Sequence, residues 1–283
     1  MQSGETEQEE RLANLRAQQI TGRTYISHSQ LALLRTCPRK FAYQYVENAP
    51  ADFVPSNLLF GGSIHQALET YFQAKLEGVG ITHEALLAAY MDAWKREKEK
   101  AKAPLRYNKE ETEETLFALA DRMLSAFLNS PLAHLKGEVI GVEEEMLIIL
   151  DENLPDLLAR VDLVIRDENA LHVIDFKTSR SRWTPEKAVE SGEQLMLYAV
   201  TVARMSEHLG VPVNLHFSVL TKAKMPVVQV LPVPTDLARI EVMRTWILQV
   251  WDAIQAGNFY PNPSPMNCTT CQFKSRCPVF AGK

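Results

Sequence analysis

The sequence predicts an α/β protein with a helical first half, and three observations carry that prediction. Apolar residues recur at helical spacing through most of the first 130 positions. The texture changes near residue 138, where three β-branched segments follow one another across short polar turns. A long helical stretch then separates them from two further strand-like segments. Strands, a crossover helix and more strands make an α/β core with helices packed around it.

Residues 1–22 are acidic and polar and read as a mobile tail. From residue 23 to 283 the chain reads as one domain with three regions: helical over about 24–130, an α/β core over about 138–256, and a cysteine-rich segment at 257–283. The first helical stretch is SHSQLALLRTCPRKFAYQYV, with Ser27 or Ser29 as N-cap and a break expected at Pro38. LLFGGSIHQALETYFQAKLEG continues as an amphipathic helix to Gly78, and helices over about 82–101 and 110–129 follow, joined by a linker containing Pro104.

EVIGVEEEMLIIL, LLARVDLVIRD and ALHVIDFKT read as consecutive strands. One long helix is expected over about 185–209, with Thr184 as N-cap and Pro185 at its first position. VNLHFSVL and MPVVQVLPV are the last strands, and a helix over about 235–256 leads into the cysteines.

Composition sets limits on function. No run of about 18 apolar residues is present to span a membrane. The N-terminus has no apolar stretch followed by a cleavage site, so a cytoplasmic location is expected. Four cysteines are too few for a disulfide framework in 283 residues and point to metal ligation instead. The net charge of −5 does not advertise a nucleic-acid binder. Basic residues nonetheless gather locally, as Arg35, Arg39 and Lys40, as Lys177, Arg180 and Arg182, and as Lys222 with Lys224.

The second and third strands carry the most informative residues. Asp162 lies in ARVDLVI, and VIDFKTS sets Asp175 two positions before Lys177. Strand periodicity gives Asp175 and Lys177 one face and sends Phe176 to the other. Two carboxylates and an ammonium on one surface suit a hard cation next to a phosphate. A salt bridge across a surface hairpin is the alternative. CTTCQFKSRC sets Cys268, Cys271 and Cys277 at C-x2-C-x5-C spacing, and the fourth cysteine, Cys37, lies far upstream. Spacing does not separate four-thiolate zinc from an iron–sulfur cluster.

Asp162 followed by DFK resembles the PD-(D/E)xK nuclease superfamily, and within it the RecB-type exonucleases, which include the AddB nuclease domain and the CRISPR adaptation nucleases. The resemblance spans roughly residues 24–280. It implies a restriction-endonuclease-like mixed sheet flanked by helices, and a Mg²⁺- or Mn²⁺-dependent deoxyribonuclease acting at single-stranded DNA ends in repair, recombination or end processing. It assigns His65 of GGSIH as a metal ligand beside Asp162, Asp175 and the Phe176 carbonyl, with Lys177 assisting attack. Gln194 and Tyr198 of QLMLY match the family's Q-x-x-x-Y motif. Cys37 with Cys268, Cys271 and Cys277 match its [4Fe–4S] ligands, a staple between the two ends of the chain.

Ala159 stands where family members often have glycine, with Arg160 retained. The preceding strand offers EEE at 143–145; alternation gives Glu143 and Glu145 one face, and Glu143 is the choice for an auxiliary site residue. A DNA-end-binding module, or a nuclease subunit of a helicase or CRISPR adaptation complex, is the alternative function. The chain has no G-x-x-x-x-G-K-[ST] phosphate loop, so a motor would be a separate protein.

Overall fold

The structure, a computed structural model, describes residues 11–280. The chain packs as two compact units, each assembled from separated stretches. One contains the described residues up to Ala49, then Leu147–Ala159 and the chain from Glu241 onward. The other contains Pro50–Met146 and Arg160–Ile240. No helix among the described residues is long and apolar enough to cross a membrane.

The first unit begins with α1 (Leu12–Thr21), β1 (Tyr25–Ser27), α2 (His28–Thr36) and α3 (Pro38–Phe41), followed by a π-helical turn at Ala42–Val46. Helix α1 corrects the expectation of a mobile tail for residues 12–21; the first ten residues of that tail lie outside the described residues. Tertiary polar contacts hold it. The Arg11 guanidinium pairs with the Asp156 carboxylate and donates to the Asp151 and Leu154 carbonyls at 2.7 and 3.0 Å. Asn14 and Asp156 exchange two hydrogen bonds, each 2.8 Å.

Of the two candidate caps for α2, Ser27 is the one used. Its Oγ accepts from the Gln30 N–H and its own N–H donates to Gln30 Oε1, a reciprocal capping box. The helix ends at Cys37, whose backbone is extended at φ −160°, and Pro38 opens the next turn, as its missing N–H allows.

The second unit holds β2 (Val54–Pro55), α4 (Ser56–Leu76), α5 (His83–Lys100), β3 (Leu105–Arg106) and α6 (Glu113–Leu128). The strands β4 (Glu138–Ile148), β5 (Asp156–Arg166) and β6 (Leu171–Ser179) follow, then α7 (Pro185–Glu190), α8 (Glu193–Leu209), β7 (Val213–Thr221) and β8 (Val228–Val233). Helix α9 (Leu237–Gln255), α10 (Pro265–Cys268) and a 3₁₀ turn at Lys274–Arg276 complete the chain, nearly all of this last part in the first unit.

The principal sheet is mixed. β5 and β6 are antiparallel with Leu163 opposite Ile174. β6 and β7 are parallel with Asp175 opposite Phe217, and β7 and β8 are antiparallel. β4 also pairs with β5, and β1 runs parallel to the start of β5. A buried cluster that includes Phe60, Phe72, Tyr90, Trp94, Phe127, Leu163, Ile174 and Phe176 forms the core between α4, α5, α6 and one sheet face.

The single helix expected over 185–209 is two helices. Thr184 caps α7 as expected, accepting from the Lys187 N–H at 3.2 Å. The break falls at Ser191–Gly192. A Cβ on Gly192 would stand 2.8 Å from Val233 Cγ1 and 3.1 Å from the Val189 carbonyl oxygen, so close packing against β8 requires glycine there.

Candidate active site

The β5–β6 register carries Asp162 alongside Asp175 at the centre of the sheet. Both are buried, Asp175 to 1% exposure, which is costly for a carboxylate unless something compensates it. The Asp162 Oδ2 accepts from the Phe176 N–H at 2.6 Å. The Lys177 ammonium lies 2.6 Å from Asp175 Oδ2. The Asp175–Lys177 pair thus exists, but with a carboxylate this deeply buried it is not the surface hairpin salt bridge of the alternative reading. Phe176 points the opposite way, as alternation requires. Its ring stacks on Phe72 at 5.8 Å and meets the edge of His65 at 6.0 Å.

Helix α4 delivers His65 to this surface, with its Nδ1 3.7 Å from Asp162 Oδ2. Strand β4 delivers Glu143. One ligand atom from each of His65, Glu143 and Asp162 falls within 4.8 Å of the others. Glu143 has a left-handed backbone, φ +50°, inside a strand, a conformation that re-aims a side chain at some cost in strain. Of the three acidic residues at 143–145, Glu143 therefore joins the site. Glu145 instead pairs with Arg160, whose Nε also approaches Glu143 at 3.8 Å.

The electrostatics follow from crowding like charges out of water. Burial, then the charges of Asp175 and Glu143, raise the pKa of Asp162 well above the ordinary carboxylate range. Burial and the neighbouring Glu69 push Glu143 up to about 7, against the opposing pull of Arg160. Burial lowers the pKa of His65, leaving its ring neutral and available as a ligand. Glu69 is the contributor that sequence reasoning missed. Its i,i+4 relation to His65 on one helix was the available signal.

Helix α8 supplies Gln194 and Tyr198, one turn apart. Lys177 Nζ donates to Gln194 Oε1 at 2.9 Å, and Gln194 Nε2 donates to Tyr198 OH at 2.5 Å. The Tyr198 hydroxyl hydrogen-bonds to the Arg160 carbonyl and lies 3.4 Å from Asp175 Oδ1. Burial and the two aspartates raise its pKa, so it remains a phenol. This chain of contacts gives the Lys177 ammonium a second partner besides its carboxylate.

The four cysteines belong to the first unit. All are free and half-buried. The Asn262 N–H donates to Cys37 Sγ at 3.4 Å, and the Asn262 and Asn267 side chains both donate to the Thr36 carbonyl at 3.0 Å. Burial raises the Cys271 pKa, and the thiols of Cys37 and Cys277 are near enough to add to that shift. Tyr43 OH donates to the Arg276 carbonyl at 2.7 Å. The fold thus carries Cys37 to the C-terminal cysteine loop.

The basic residues divide. Arg39 pairs with Glu47 at 2.8 Å and lies over the Tyr43 ring, and Arg35 lies over Trp246. Arg180, Arg182 and Lys224 are exposed. Lys222 is partly buried over Phe60, and burial lowers its pKa.

No curated protein matches the chain. Among solved structures it is similar to a Eubacterium rectale protein named "putative exonuclease". That match has 12% identity and a TM-score of 0.54, and covers 99% of this chain and 92% of the other. At that identity the likeness shows a shared fold. A second structure, SSO0001, matches at 13% identity over 89% of this chain and 95% of its own, with a TM-score of only 0.34. The family comparison is decisive, because the model of the PD-(D/E)XK nuclease superfamily matches residues 25–278 and so takes in both units. This chain belongs to the PD-(D/E)XK nuclease superfamily.

Proposed function

We propose that the protein is a Mg²⁺- or Mn²⁺-dependent deoxyribonuclease of the RecB-type exonuclease group, acting at single-stranded DNA ends. The observation that carries this reading is the convergence of His65, Glu143 and Asp162 within 4.8 Å beside the Asp175–Lys177 pair. The donor set fits a hard divalent cation, since it is rich in carboxylate oxygen and its charges repel one another without one. Asp175 Oδ2 is buried beside the Lys177 ammonium at 2.6 Å, so a negative charge at this position is matched to cationic partners.

His65, Glu143, Asp162, Asp175 and the Phe176 carbonyl would hold the ion. When bound, it supplies a positive charge for the scissile phosphate and a lowered pKa for water. Lys177 brings an ammonium to charge that develops on the phosphate, and Gln194 keeps it from wandering. Tyr198 holds the Gln194 amide and the Arg160 carbonyl in one network, so α8 acts as the brace of the site. The burial of Asp162 and Asp175 strengthens every charge interaction with a phosphate brought there.

In the same reading Cys37, Cys268, Cys271 and Cys277 ligate a [4Fe–4S] cluster that is structural and has no part in cleavage. The convergence of Cys37 on the C-terminal loop supports a shared site. The test uses anaerobically prepared protein, Mg²⁺ or Mn²⁺, and single-stranded oligonucleotides labelled at either end. A ladder of products shortened from one end is the expected result. No cleavage in either metal by a brown, folded protein would overturn the reading in favour of a DNA-end-binding module or a subunit that needs its complex.

A further inference from the structure

Away from the catalytic carboxylates, β6 and β7 carry a second group of reactive side chains. His172 and His216 are register partners on these parallel strands. Alternation gives His172 the sheet face opposite Asp175. His172 Nδ1 and His216 Nε2 lie 3.2 Å apart, and the two rings are tilted by 32°. The other nitrogen of His172, Nε2, lies 3.0 Å from Asp167 Oδ2. Both rings line a cleft of about 600 Å³, which His134, Lys136 and Ile174 also line.

We propose that His172 Nδ1 and His216 Nε2 bind a divalent transition-metal ion of the zinc class at the mouth of this cleft. The first argument is the tautomer. An ionised carboxylate only accepts, so Asp167 keeps the His172 proton on Nε2 and leaves Nδ1 of the neutral ring as a lone pair facing His216. Carboxylates orient metal-binding histidines in this way.

The second argument is distance. Two imidazole nitrogens each about 2.0–2.1 Å from a tetrahedral ion stand about 3.3 Å apart, close to the 3.2 Å found here. The third is availability. Burial and the adjacent His172 lower the His216 pKa to about 4, so its ring is neutral at ordinary pH. The cleft leaves room for water at the remaining positions.

Imidazole donors suit zinc, copper and nickel, whereas magnesium prefers oxygen. The two metal sites of the protein therefore differ in chemistry, and this one does not depend on the nuclease reading. An ion here ties β6 to β7 on the sheet face that the catalytic pair does not use.

The experiment uses full-length protein carrying Asp162→Asn, which disables the carboxylate site, with its cysteines left loaded. Cu²⁺ is the spectroscopic probe and Zn²⁺ the competitor. One equivalent of Cu²⁺ is expected to give a paramagnetic resonance spectrum with coupling to two nitrogens, erased by excess Zn²⁺. His216→Ala should remove that two-nitrogen signal and lower the Zn²⁺ stoichiometry by one. His172→Gln, at a partly exposed position, should do the same if His216→Ala fails to fold. Asp167→Asn should weaken Zn²⁺ by 10- to 100-fold, the usual effect of losing such a carboxylate. A two-nitrogen signal and a Zn²⁺ stoichiometry that survive in the folded histidine variants would overturn the proposal and leave a plain hydrogen-bonded histidine pair.

Discussion

Glu143 provides the sharpest test of the electrostatic argument, because its ionisation opposes folding when no cation is present. Its pKa in the fold is about 7, against an ordinary 4.5, chiefly through burial and then Glu69. Below pH 4.5 the group is protonated in both folded and unfolded chains and has no effect on stability. Between 4.5 and 7 the unfolded chain ionises while the fold keeps its proton, so stability falls as pH rises. Above pH 7 the full penalty applies. The difference between 4.5 and about 7 amounts to about 3 kcal/mol, at about 1.4 kcal/mol per tenfold change in proton affinity.

Glu143→Gln removes the ionisation but keeps the shape, and Arg160 retains Glu145 as partner. In protein freed of divalent ions, the variant should be more stable than wild type by up to about 3 kcal/mol at pH 8 and equal to it near pH 4. In melting temperature that is roughly 6–12 °C, at roughly 2–4 °C per kcal/mol for chains of this class. Circular dichroism melts in chelator across this pH range provide the measurement. Adding millimolar Mg²⁺ should stabilise wild type and narrow or reverse the gap, since the variant has lost a ligand. A gap of constant size from pH 4 to pH 8, or a variant less stable than wild type at pH 8, would refute the reasoning.

Lys177→Ala should lower cleavage of labelled oligonucleotide at least about 100-fold while leaving most DNA affinity, as expected for a group acting on transition-state charge. Wild-type activity in that variant would sink the assigned site. Tyr198→Phe should destabilise the fold by about 1–2 kcal/mol in denaturant titration, because the Gln194 amide and Arg160 carbonyl lose a buried partner. DNA affinity should fall steeply with salt, and replacing exposed Arg180 or Arg182 by Ala should reduce the log–log slope by about 0.7 each. The same change at Arg39, already paired with Glu47, should have less effect on the slope. Cys37→Ser should lose as much bound iron and stability as Cys271→Ser. A Cys37→Ser protein with full metal content and an unchanged melt would place the fourth ligand elsewhere.

Local chemistry was legible where a residue type has one physical use. Ser27 before a helical pattern, Pro38 after Cys37 and Thr184 before Pro185 all act in the fold as their chemistry dictates. Period-two alternation correctly separated Phe176 from Asp175 and Lys177. Features set by distant partners were not legible. Helix α1 depends on Asp156, well over a hundred residues away, and has no N-capping side chain to announce its start. The break falls at a glycine packed closely against Val233, a neighbour some forty residues further along the chain. β1 is three residues long, and its identity as a strand comes from pairing with β5. Glu143 was separable from Glu144 and Glu145 only weakly, because its left-handed backbone is a tertiary feature that alternation does not encode.

The distribution of the first unit along the chain has a consequence for how the protein is made. Its N-terminal segment ends at Ala49, whereas its closing segment begins only at Glu241. At about 5–20 residues per second, a ribosome needs on the order of 10–50 s to pass from Cys37 to Cys277. For that interval the nascent chain carries Cys37 and the end of α2 without Asn262 and Asn267, the residues that hold them in the finished protein. The second unit has most of its core residues in hand by Leu220 and can begin to condense earlier. Synthesis of the closing segment, rather than any step within the principal sheet, thus sets the earliest moment at which the cysteine-bearing unit can close. Truncation of even the last few dozen residues would leave the early segment permanently without its partner.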